Sequence, residues 1–249
     1  MLIIGGMGIG GPINFTCGLI EALKTCDFIY AEKYTNPEDL LTISEIEKIT
    51  RKKVQLLNRK EIEDENGSVL LEKAINFNVA FLVFGDPFIF TTHISLKKKA
   101  QQLGIKTKVF HGISVFSLAP SCSGLDPYRF GPPVTLVFPD EKHGYFPETP
   151  YTLVQENLNR DLHTLVLMDV RADEERFMNF SDAFKIMEEL ENKIGGGIFI
   201  PGRKIILLAA LGSEKEIVKW VEFGQKLSDL EYPLPHSMII PASLKFYEV

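Results

Sequence analysis

Asp86, in the run Phe84-Gly85-Asp86-Pro87, is the side chain best placed to do chemistry. It follows Val79 to Val83, an apolar run too short for a helix and suited to a strand buried on both faces. Gly85 permits a turn or a close approach to a ligand, and Pro87 cannot continue a ladder. A carboxylate is thereby left at the carboxyl end of a central strand, where open α/β sheets bind small molecules. The same residue has a plainer role open to it, because Asp-Pro is a common turn dipeptide whose carboxylate satisfies loop amides.

A second candidate is Gly6-Met7-Gly8-Ile9-Gly10-Gly11, which fits G-x-G-x-x-G at Gly6, Gly8 and Gly11. It lies between a strand and a helix, with Glu32 at the end of the next strand. A dinucleotide site has this form, with the acid on a ribose hydroxyl, and an NAD-dependent oxidoreductase is one reading. Pro12 and Asn14 count against it, since they delay a helix whose amino terminus should meet the pyrophosphate. No downstream His, Lys or Tyr is marked as a hydride-transfer partner. His93, His111 and His163 have no H-x-x-x-H spacing, and Cys17, Cys26 and Cys122 have no metal-ligand spacing, so no metal site is expected. There is no G-x-S-x-G elbow and no P-loop.

The elements that must hold these groups alternate. Strands are expected at Leu2–Ile4, Phe28–Ala31, Lys52–Leu57, Val79–Val83 and Thr107–Phe110. Helices are expected at Phe15–Cys26, Leu40–Thr50, Val69–Phe77 and His93–Leu103, the last capped by Thr91 or Thr92. This alternation predicts a mostly parallel sheet with helices on both faces. The pattern changes beyond Gly112, which places a boundary between domains 1–112 and 113–249. The second domain is expected to hold helices at Val115–Ser123, Tyr151–Leu158 and Phe180–Ile194. Its strands are expected at Val134–Phe138, Leu162–Val170, Lys204–Leu211 and Ser237–Ile240, with a loop-rich stretch from Pro139 to Pro150.

The chain is 45% apolar with a net charge of −6, which is globular and shows no basic stripe. Lys97-Lys98-Lys99 reads as a solvated helix face, so no direct nucleic-acid partner is expected. The apolar runs are too short to span a bilayer. Met1-Leu2-Ile3-Ile4 opens a strand with no basic region before it, which argues against a signal peptide. An odd cysteine count fits a reducing cytoplasm.

Gly85-Asp86-Pro87, Thr91-Thr92-His93 and His111-Gly112-Ile113-Ser114 occur in an order that resembles the diphthine synthase family. That family is a branch of the S-adenosylmethionine-dependent tetrapyrrole-methylase superfamily. Met7-Gly8-Ile9-Gly10, Tyr128-Arg129-Phe130-Gly131, Glu156-Asn157, Leu162-His163-Thr164-Leu165, Asp169 and Pro235-His236-Ser237 extend the resemblance over nearly the whole chain.

The resemblance implies an α/β fold of two αβα domains with the cofactor in the cleft between them. It implies contacts to S-adenosyl-L-methionine from Ile9, Asp86, Ile89, Ser114, Val115, Met168, Leu211 and His236. Asp86 would accept from ribose or ammonium, and Ser114 would offer its hydroxyl and amide. Met168 and Leu211 would clamp the purine, and the His236 backbone would read the adenine edge. The methyl acceptor would be the amino group of the 3-amino-3-carboxypropyl-histidine of translation elongation factor 2, and the enzyme a cytoplasmic homodimer. No catalytic residue is implied.

Two stretches depart from the family. Gly10-Gly11-Pro12-Ile13-Asn14-Phe15-Thr16 lacks its acidic residues, and Ala210 stands where it usually carries arginine. A corrin- or porphyrin-precursor methylase of the same fold, the NAD-dependent oxidoreductase and a non-catalytic ligand-binding protein remain as alternatives.

Overall fold

The computed structural model describes residues 1–33, 40–140, 144, 146–171, 174, 176–225, 227 and 232–248, with residues 13, 40 and 41 as backbone only. It divides into two compact units, Met1–Val115 and Phe116–Val249. The sequence-derived boundary at 112/113 lies in the loop just before this division.

The first unit holds β1 (Leu2–Gly6), α1 (Cys17–Lys24), β2 (Phe28–Glu32), α2 (Leu40–Thr50), β3 (Val54–Leu57), α3 (Ser68–Asn76), β4 (Val79–Val83), α4 (Ile94–Gln102) and β5 (Thr107–Phe110). The strands form one sheet in the order β3-β2-β4-β1-β5, and every pairing is parallel. β1 and β4 are buried at every position, as strands covered on both faces must be. Ile3, Ala80, Leu82 and Ile29 pack on one face with Leu19 and Leu23 of α1 and Ile43 and Ile46 of α2.

The second unit holds all but the first residue of α5 (Val115–Ser123), then β6 (Val134–Leu136), α6 (Thr149–Asn159), β7 (Thr164–Met168), β8 (Val170–Arg171), β9 (Arg176–Phe177), α7 (Phe180–Ile194), β10 (Lys204–Ala209), β11 (Ile217–Glu222) and β12 (His236–Ile240). Its main sheet runs β11-β10-β12-β7-β6, antiparallel except where β6 meets β7. Val166, Leu207 and Met238 face Tyr151 of α6 and Phe180, Met187 and Leu190 of α7. The other face, with Leu165, Ile206, Leu208 and Ile239, is buried as well.

Several expectations are corrected here. The strand expected over Leu162–Val170 breaks at Asp169, whose carboxylate accepts from Phe138 N at 3.1 Å and from Arg171 Nε at 3.2 Å. β11 was not foreseen, because it is a sheet edge with Lys219, Trp220 and Glu222 facing outward. The π-helical turn Lys60–Asp64 was not foreseen either. The loop-rich stretch Pro139–Pro150 lies partly outside the described residues, and α6 already begins at Thr149.

Candidate active site

Three loops meet at the carboxyl edge of the first sheet. β1 lies between β4 and β5, all parallel, so the segments after Gly6, Val83 and Phe110 emerge side by side. Gly8 N donates to Gly85 O at 3.1 Å and Gly85 N donates to Gly8 O at 2.9 Å. A Cβ on Gly6 would fall 2.5 Å from Gly85 O and 2.7 Å from Gly112 N. One on Gly112 would run into the same carbonyl and sit 2.7 Å from Gly8 N. Backbone touches backbone, and only glycine permits that approach.

Asp86 stands on this platform. It is buried, its Oδ1 accepts from Phe88 N at 2.9 Å, and its Oδ2 lies 2.8 Å from His111 Nδ1. A carboxylate only accepts, so His111 Nδ1 is the donor of this pair and Nε2 is the ring nitrogen left outside it. The His111 side chain is 69% exposed, although the carboxylate that orients it is buried. Phe88 meets the ring edge-on at 6.2 Å. Asp86 thus satisfies a turn amide, as its plainer reading expects, and its carboxylate lies just beyond the end of β4.

Glu32 and His93 support the platform from beneath. Glu32 is fully buried, with Oε1 accepting from Phe84 N at 3.1 Å and Oε2 3.4 Å from His93 Nε2. Burial pulls His93 from the ordinary 6.5 to about 4, against the opposing hydrogen bond to the Pro87 carbonyl, so the ring is neutral at neutral pH. Glu32 thus serves the loop that carries Asp86 and does not present its carboxylate to a ribose. α1 begins only at Cys17, with Thr16 Oγ1 accepting from Leu19 N, after a 3-10 turn at Pro12–Asn14. Both requirements of the dinucleotide reading fail. The expected cap of α4 is met only in part, since Thr91 Oγ1 accepts from His93 N at 3.4 Å, one residue before the helix. Thr91 Oγ1 donates to Pro87 O at 2.5 Å, Thr92 Oγ1 donates to Glu63 at 3.1 Å, and α4 starts without a side-chain cap.

The other sequence-selected residues occupy comparable positions. Ile9 is half-buried in the β1 loop and its carbonyl accepts from Asn14 Nδ2 at 2.6 Å. Ile89 is exposed beyond Asp86, Ser114 is buried just before α5, and Val115 opens that helix half-buried. In the second unit Met168 ends β7 and Leu211 follows β10, both buried. Ala210 N donates to Pro235 O at 3.0 Å, tying the Leu211 loop to the segment of His236. The His236 ring stacks on Phe180 at 4.5 Å and its Nε2 lies 3.0 Å from Tyr232 O. That ring is engaged inside its own unit, and His236 opens β12 opposite Ala209 of β10.

Each unit has therefore gathered its own candidates at strand ends. The donor set of the first unit, a buried carboxylate, a buried hydroxyl and flanking apolar side chains, fits the ribose, ammonium and adenine of S-adenosylmethionine. Among the described residues no group of His, Cys, Asp or Glu could hold a metal ion.

Other strings of the resemblance have an architectural role. His163 is buried, with Nδ1 accepting from Ala242 N and Nε2 2.9 Å from Glu248 Oε1. Arg129 meets Glu248 and lies 2.9 Å from Asp161. Burial pushes the Glu248 carboxyl up, but the amides of Lys245 and Asp126 and the His163 hydrogen bond outweigh it and hold it at about 2. Asn157 donates to Pro132 O at 2.9 Å and to Thr164 Oγ1 at 3.0 Å, pressed against Gly131, where a Cβ would collide with it.

A family described as Tetrapyrrole (Corrin/Porphyrin) Methylases matches residues 1–225, and this fold with its glycine-built strand-end loops defines the class as a methyltransferase of that type. The chain is 38% identical to the diphthine synthase of Methanocaldococcus jannaschii, covering 100% of this chain and 96% of the relative. It is 35% identical to that of Methanothermobacter thermautotrophicus, at 100% and 92% coverage. A crystal structure of diphthine synthase superposes with a TM-score of 0.84 at 29% identity, covering 100% of this chain and 93% of that one. The chain belongs to the diphthine synthase family of these methylases.

Proposed function

We propose that this enzyme uses S-adenosyl-L-methionine to methylate the amino group of the 3-amino-3-carboxypropyl-histidine of translation elongation factor 2, giving diphthine. The observation that carries the reading is the buried Asp86 on its all-glycine platform, in a chain matched end to end by diphthine synthases. Asp86 and Ser114 would hold the polar parts of the cofactor, while Ile9, Ile89, Val115, Met168 and Leu211 would supply apolar contact and His236 its main chain. When bound, the cofactor supplies a methyl group activated on a sulfonium. The protein's part is to hold the acceptor nitrogen in line with that carbon, and such positioning accounts for much of the rate enhancement in displacements of this kind. We place the activity in the cytoplasm, on a homodimer.

The test is mass spectrometry of elongation factor 2 after incubation with labelled cofactor. The expected result is a gain in whole methyl units confined to the modified histidine, with none on the unmodified factor. Transfer to a corrin precursor and none to the factor would overturn the reading. In melting experiments the cofactor or its demethylated product should add roughly 2–4 kcal/mol at 100 to 1,000 times its dissociation constant, and NAD nothing. Asp86→Ala should weaken cofactor binding by about 1–3 kcal/mol while the fold survives.

A further inference from the structure

We propose that His111, oriented by Asp86, is the general base that takes the proton from the acceptor's ammonium group. The inference rests on the amine-methylating function proposed above. An ammonium has no lone pair, so it must lose a proton before it can attack carbon.

The geometry is that of an oriented base. Asp86 Oδ2 lies 2.8 Å from His111 Nδ1, and Asp86 is itself buried and held by Phe88 N at 2.9 Å. His111 immediately precedes Gly112, whose backbone is locked against Gly6 and Gly85, so the ring is anchored on both sides. Nε2 lies outside this hydrogen bond on an exposed side chain, where a substrate can reach it. His93 and His163, in contrast, are buried and paired with Glu32 and Glu248. Asp86 is the charged group that meets His111, while Lys97 lies 5.5 Å from the centre of the Phe88 ring and Lys108 4.7 Å from that of Phe110.

In the step, Nε2 takes one N–H proton, and that bond's electron pair stays on the acceptor nitrogen. The pair forms the new N–C bond as the C–S bond breaks, leaving its electrons on a neutral sulfur. The imidazolium, stabilised by the Asp86 carboxylate, then returns the proton to water.

The experiment compares wild type with His111→Gln and His111→Asn, on modified elongation factor 2 across a range of pH, alongside calorimetry of the cofactor alone. Both variants should bind the cofactor with unchanged Kd and lose about 10²–10⁴-fold in kcat. The wild-type rate should level off at high pH, while the variants' rate keeps climbing with the fraction of free amine. A third variant, His111→Ala, opens space at the ring, and added imidazole should restore part of its rate. Variants with near-normal kcat and weakened cofactor binding would overturn the proposal and make His111 an orienter of Asp86. A slow variant with an unaltered pH profile and no imidazole rescue would overturn it too. A wild type that binds the cofactor but leaves the modified factor untouched would sink the functional reading, and the base with it, and is told apart because it fails before any substitution is made.

Discussion

The first unit's Asp86–His111 and the second unit's Glu248–His163 are the same pair of functional groups at nearly the same distance, 2.8 and 2.9 Å. In one the imidazole is 69% exposed, and in the other neither side chain is exposed at all. His163 has no nitrogen to spare, because Nδ1 accepts from Ala242 N while Nε2 faces Glu248. His111 keeps one free to meet solvent. What a histidine–carboxylate pair does is thus set by which partner is buried. A buried carboxylate under an exposed ring makes a proton acceptor, whereas burial of both makes a cross-link in the core.

The contrast breaks most visibly at Glu248. Glu248→Ala removes the carboxylate shared by His163 and Arg129, of which only Arg129 keeps another in Asp161, and should cost about 3–5 kcal/mol in denaturant unfolding. A loss under 1 kcal/mol would mean the network is ornamental. Gly112→Ala comes next, because the added methyl meets backbone that cannot swing aside, and a loss of about 1–3 kcal/mol is expected together with weaker cofactor binding.

The acid limb of stability sharpens the comparison further. His93 is held below its ordinary value, so its contribution is complete above pH 6.5 and is lost as the pH falls toward about 4. Glu248 is also held down, so its share is complete above pH 4.5 and is lost on the way to about 2. His93→Asn should therefore flatten the upper window, and Glu248→Gln the lower, in melting temperatures measured against pH. The smallest effect is His111→Gln on stability, expected within about 0.5 kcal/mol because the side chain is largely in water. A larger loss would move His111 into the structural class of His163.

The first unit was legible because a parallel sheet is written as uninterrupted apolar runs such as Val79–Val83, ended by glycine and proline. β11 was not, since an edge strand carrying Lys219 and Glu222 has no such signature. Asp86 could be singled out from its place at a strand end. Its partner could not, because His111 lies 25 residues away and meets it only through the order β4-β1-β5. Glu32 shows the converse error. Its spacing from the glycines suggests a ribose ligand, but spacing carries no information about burial, and the side chain is sealed against Phe84 and His93. Tyr128-Arg129-Phe130-Gly131 and Leu162-His163 signalled the family without revealing that they meet around Glu248.

The contact of Gly6, Gly85 and Gly112 sets a limit on how the enzyme could be redesigned. With three main-chain segments touching and only the Pro87 ring beside them, there is little at this contact to trim or enlarge. A library aimed at new acceptors would find only damaged folds at these positions. Useful variation has to come from the rim, where Ile89, Phe90 and Ile113 are exposed and can change size without moving the floor.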